Sequence, residues 1–170
     1  MSLPGISQLE ATPEILRLLM GGLTGQDTQW KAAPERFSIA EVLEHLSHVE
    51  GHCFRARIEL MVDENNPAME PYDPQAYFAA GQYSGRDAED SFDHFEAQRE
   101  LNLEYLRALP DSVASRAGVH AKMGPITVAH QMNEWAFHDI GHIKQIAEII
   151  RALKYYPHIG PFQSQYKVNP

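Results

Sequence analysis

Four stretches of the 170-residue chain carry apolar side chains at the three-and-four spacing of an α-helix, and nowhere does a useful run of strand-like alternation appear. The first is expected over 12–24, where Thr12 offers a capping oxygen, Pro13 stands at the first helical position, and Ile15, Leu16, Leu19 and Leu23 follow. The second, 38–62, opens with Ser38 and Glu41 at capping-box spacing. The third, 88–109, is marked by Phe92, Phe95, Leu103 and Leu106 and stopped by Pro110; the fourth, 127–153, is capped by Thr127. Each helix has one apolar stripe to cover, so the expected fold is all-α, a four-helix bundle in one domain over 1–170.

The longest connection, between the second and third helices, holds three prolines, two glycines and the aromatics Tyr72, Tyr77, Phe78 and Tyr83. Its length allows a crossing, and its rings predict that it packs against the body. The tail, 154–170, is expected to be irregular and to lie on the body through its four aromatic residues.

The residue balance excludes several functions. With 23 acidic and 14 basic residues the net charge is −9, and no basic stripe interrupts it, which argues against nucleic acid and membrane surfaces as partners. A single cysteine, Cys53, rules out an intrachain disulfide and a thiolate-rich zinc site. Any metal must be held by nitrogen and oxygen. The N-terminal residues lack signal-peptide character and no apolar run approaches membrane-spanning length, so the expected location is the cytoplasm.

The fourth helix departs from an ordinary buried stripe. In WAFHDIGHIKQIAEII, His138 and His142 fall within roughly 60° of the apolar direction set by Trp135, Ile146, Ile149 and Leu153. One inward histidine is ordinarily a hydrogen-bonded core residue. Two at i, i+4 stack on one face and can converge on one ion, the geometry of the HxxxH of zinc proteases, although Asp139 stands where those have Glu. A third ligand must then come from a neighbouring helix. Of His45, His48 and His52, His45 lies closest to the apolar centre of the second helix, roughly 60° away. His48 and His52 fit rim positions beside Glu44, Glu50 and Glu59, while His94, His120, His130 and His158 fit surface positions. Cys53 fits a small core residue.

FSIAEVLEHL, PAMEPYDPQAY and GPITVAHQMNEWAFHDIGHIKQI, in that order, resemble the second-helix signature, the proline-tyrosine-aspartate loop and the last helix of the DinB-like family. Phe37 stands where the family usually has Trp, and His48 where Asp is common. The resemblance implies a four-helix bundle with a metal on three histidines, which fall here on His45, His138 and His142. It also implies a thiol-dependent S-transferase joining a low-molecular-weight thiol to a small electrophile, and is compatible with a homodimer.

Three neutral nitrogens suit Zn²⁺, and also Ni²⁺ or Fe²⁺. A hydrolase using metal-bound hydroxide is the other enzymatic expectation, and a metal-stabilised binding or stress-response module the non-enzymatic one. The catalytic residue is not fixed by the sequence; His48, Asp139 and Glu134 are the candidates, with Asp139 first because it adjoins a ligand and lies within roughly 40° of the apolar centre. Glu41 is already explained by its capping box.

Overall fold

The computed structural model describes residues 3–170. Four long helical rods form the body: α1 (Ile6–Met20), α3 (Ile39–Val49) running on into α4 (Ala56–Asp63), α6 (Ala88–Ala108) and α7 (Val128–Ile150). Helix α3 packs on α6 and α1 on α7. Short helices α2 (Gly25–Gln29) and α5 (Pro74–Ala79) interrupt the connections. No helix among the described residues is long and apolar enough to cross a membrane.

The caps of the second and fourth rods stand as expected. Ser38 Oγ accepts the Glu41 amide at 3.1 Å while Glu41 accepts the Ser38 amide at 2.9 Å, and Thr127 forms the equivalent box with His130. His130 is therefore part of a helix start. The first helix departs from expectation: it begins at Ile6, not Thr12, and places Thr12 in its buried middle. Gly5, the residue before it, has φ 77°, and a β-carbon there would meet the Met132 carbonyl at 2.9 Å, so the chain enters against α7 only with glycine. Pro13 lies inside the helix, where its missing N–H leaves the Leu9 carbonyl without its usual partner. Arg99 Nη1 donates to that carbonyl at 2.8 Å.

The second rod is not one regular α-helix. A π-helical turn over Glu50–Arg55 separates α3 from α4. A wider turn shifts the faces on either side of it, and Glu50, expected on the rim, is wholly buried.

The absence of strands is also corrected. A three-stranded sheet joins β1 (Ala68–Met69), parallel, to β2 (Ala117–His120), which pairs antiparallel with β3 (Gly124–Thr127). Strands of two to four residues are too short to show an alternation. Gly118 makes the crossing of β1 feasible, since a β-carbon there would lie 2.7 Å from Met69 Cε and 3.0 Å from the Pro67 carbonyl. The sheet fastens the long connection beside His120.

Two apolar clusters fill the bundle. One gathers around Leu9, Phe54, Leu103 and Trp135, the other around Leu16, Leu43, Leu46, Phe95 and Ile146. Buried polar residues from all four rods meet between them: Thr12, Glu50, Arg99 with Asn102, and Asp139. The tail leaves three of its four aromatics outward, against expectation: Tyr155, Phe162 and Tyr166 are exposed, and Tyr156 alone is half-buried. Polar bonds hold it instead, from Lys154 to Asp27 at 2.6 Å and from Arg36 to Asn169 Oδ1 at 2.8 Å.

Candidate metal centre

His45 on α3 faces His138 and His142 on α7, one turn apart on the same side. The Nε2 atom of His138 lies 3.2 Å from that of His45 and 3.1 Å from that of His142, and one ring nitrogen from each residue falls within 4.8 Å of the others. Donors bonded at 2.0–2.1 Å in a tetrahedron stand about 3.3 Å apart. The two spacings made by His138 match that separation.

The outer nitrogens of His142 and His45 support the same fit. His142 Nδ1 lies 2.8 Å from Gln145 Oε1, which requires the ring proton on Nδ1 and leaves Nε2 a lone pair. His45 Nδ1 contacts the Tyr83 hydroxyl at 3.3 Å, and that hydroxyl lies 2.7 Å from the one on Tyr72. His138 Nδ1 is buried without a hydrogen-bond partner, and its ring packs edge-on against Phe54. Within the trio, His138 Nε2 can carry one proton for two neighbours, so the nitrogens cannot all satisfy one another. Burial, reinforced by the charge each ring would place on the next, pushes His45 down to about 3 and His138 to about 2. Burial also lowers His142, against the opposing bond to Gln145. All three rings are neutral near pH 7, the form that ligates.

The remaining candidates sit elsewhere. His48 stacks on His52 at 4.4 Å, with Tyr72 and Tyr77 against it, at the rim rather than in the trio. Asp139 is buried and turned to Arg99, which reaches its Oδ2 at 2.8 Å, and to Thr12, whose hydroxyl donates at 2.7 Å. It influences His142 through charge alone. Glu134 is exposed, one turn before His138, and accepts a bond from Gln131 at 2.6 Å.

Glu134, His45 and His138 line one cleft of about 300 Å³, with Cys53, Tyr72, Arg57, Lys122 and His120. Burial pushes the Cys53 thiol up to about 11, so it is protonated and a weak nucleophile at neutral pH. Among the described residues no fourth His, Cys, Asp or Glu joins the trio. Tyr72 and Tyr83 do pack inward, as the aromatic content of their loop predicted. His120, expected at the surface, is 2% exposed; the non-local pairing of β1 with β2 buries it, and no periodicity in the sequence carries that signal.

The model of the DinB superfamily matches residues 8–146. The chain belongs to the DinB superfamily. This DinB chain is 23% identical over 148 residues to a protein of Oceanobacillus iheyensis named "Putative metal-dependent hydrolase OB0782", covering 86% of this chain and 84% of that one. Its fold is shared with YfiT from Bacillus subtilis, described as a probable metal-dependent hydrolase with an unusual four-helix bundle topology. The TM-score is 0.78 at 23% identity, over 88% of this chain and 85% of YfiT.

Proposed function

We propose that this DinB-superfamily chain is a metal-dependent hydrolase in which His45, His138 and His142 hold one divalent ion. Convergence of three neutral Nε2 atoms, two of them on rings that line the cleft, His45 and His138, carries that reading, with no fourth His, Cys, Asp or Glu beside them among the described residues. A site with three protein ligands and a free position is the catalytic pattern, whereas a structural ion is fully enclosed by side chains. Zinc fits the donor set best; nickel and iron(II) fit it as well.

A bound ion would supply Lewis acidity and make water or a thiol more acidic at neutral pH. The chain supplies the rest. Gln145 sets the His142 tautomer, and Tyr83 restrains His45. Glu134, in the cleft one turn from His138, is the carboxylate we assign to accept a proton from the attacking water. Phe54 and Trp135, stacked 5.0 Å apart, form the dry wall behind His138.

The size of the cleft favours hydrolysis over thiol transfer. About 300 Å³ is the lower end of the range for ligand pockets, which suits one small substrate and a water better than a thiol and its electrophile together. Thiol S-transfer is the second reading, favoured by Arg57 and Lys122 in the same cleft, whose charges suit an anionic thiol.

The zinc-loaded protein should be assayed on a panel of small esters and amides and, in parallel, for conjugation of a low-molecular-weight thiol to an electrophile. Hydrolysis lost in His142→Ala and reduced on the order of a hundredfold or more in Glu134→Gln, with helical content intact, is the expected result. Conjugation without hydrolysis would replace the assignment with the transferase. Neither activity in protein that holds its ion would leave a metal-stabilised binding module.

A further inference from the structure

The same cleft carries an arrangement of donors that metal binding does not explain. His120, at the end of β2, is buried, and its Nδ1 is approached by the backbone N–H of Lys122 at 3.2 Å and of Met123 at 3.4 Å. Both amides point at that nitrogen, so Nδ1 is the acceptor and the ring proton sits on Nε2. Nε2 in turn lies 3.3 Å from Arg57 Nη2. Guanidinium nitrogen can only donate. Two donors therefore face each other where a bond between them is impossible.

Arg57 is also poorly engaged elsewhere. Among the described residues no carboxylate pairs with it, and its other contact is a 3.4 Å bond to the Glu70 carbonyl. By contrast Arg17, Arg55, Arg99, Arg107 and Arg151 all reach carboxylates, as an acidic chain would predict. Lys122 adds a second positive charge to the same wall.

We propose that Arg57 Nη2 and His120 Nε2 together bind a carboxylate on the substrate, so that the enzyme acts on small carboxylate-bearing molecules. Two donors about 3 Å apart match the two oxygens of one carboxylate, and a guanidinium is the side chain suited to that fork. A phosphate dianion would bring more charge and more acceptors than two donors satisfy, and Glu134 in the same cleft opposes that excess. The carboxylate anchors one end of the substrate at the sheet, and the bond to be cut faces the histidines. Lys122, exposed, contributes attraction at the entrance. This assignment rests on the cleft being the substrate site of the proposed hydrolase.

The test uses the full chain stripped of metal, so that the probe cannot ligate an ion, with the His120 ring resonances followed by NMR. Acetate should shift them saturably, Arg57→Gln should weaken that binding about tenfold, as for loss of a hydrogen bond to a charged group, and inorganic phosphate should bind more weakly than acetate. Arg57→Ala serves as a second variant, with the same expectation. No saturable shift, or acetate affinity unchanged from wild type in both variants, overturns the proposal, and tighter binding of phosphate overturns the choice of carboxylate. Zinc uptake is measured on the same samples. Zinc bound in wild type and Arg57→Gln with no acetate effect would defeat this assignment alone, whereas failure of the wild type to bind zinc would defeat the hydrolase reading itself.

Discussion

Two polar clusters are buried in the same bundle, and they differ in whether their atoms are satisfied. At one level of the body Arg99 uses all five of its N–H donors: Nε and Nη2 on Glu50 at 3.0 and 2.5 Å, Nη1 and Nη2 on Asp139 at 2.8 and 3.2 Å, and Nη1 on the Leu9 carbonyl. Trp135 and Asn102 donate to Glu50, and Thr12 to Asp139. Burial by itself would lower Arg99, but Glu50 and Asp139 outweigh it and hold the guanidinium charged. A turn away, the histidine trio presents Nε2 atoms at 3.1 and 3.2 Å that cannot all be paired with one another. Buried polar groups in a native fold are normally paired. A closed network ties helices together, and an open one points to a ligand.

The largest expected effect falls on the closed cluster. Arg99→Met should leave Glu50 and Asp139 buried without their cation and destabilise the chain by about 3–5 kcal/mol, read from urea unfolding. Retention of wild-type stability would mean that the network is not what holds the rods at this level.

The metal-free histidines should make stability depend on pH. Their folded-state values lie below the ordinary 6.5, so below that point the unfolded chain binds protons that the folded chain refuses. Stability should be full above about pH 6.5 and fall as the pH drops toward 3. His45→Ala should flatten the slope. An equally steep slope in that variant would place the acid sensitivity in other groups.

Thr12→Val, which removes one hydroxyl donor while keeping the shape, should cost about 1–2 kcal/mol in the same unfolding experiment. The smallest effect belongs to the open cluster: His138→Leu in the metal-free chain should leave the midpoint unchanged or raise it, since an unsatisfied nitrogen is exchanged for apolar contact with Phe54. A loss comparable to that of Arg99→Met would erase the distinction between the clusters.

The open cluster was the legible one. His138 and His142 share a face because α7 is regular from Val128 to Ile150, and His45 lies in α3 before the π turn begins, so helical spacing held for each. The closed cluster was not legible for reasons that differ by residue. Glu50 begins the π turn, where a count of 100° per residue no longer applies. Thr12 and Pro13 look like a helix start; only the neighbouring Arg99, on another rod, lets a proline sit inside α1 by taking the freed carbonyl. Asp139 was correctly placed inward, but its partner is 40 residues away in the chain. His120 depends on strands too short to carry a period.

The most direct test is elemental analysis of the untagged protein purified without chelator, beside His45→Ala and His142→Ala. About one zinc, nickel or iron per chain in the wild type, lost in both variants while their helical content is kept, is the predicted result. No metal in the wild type, or metal retained by either variant, would contradict the assignment of the open cluster as the ligand set.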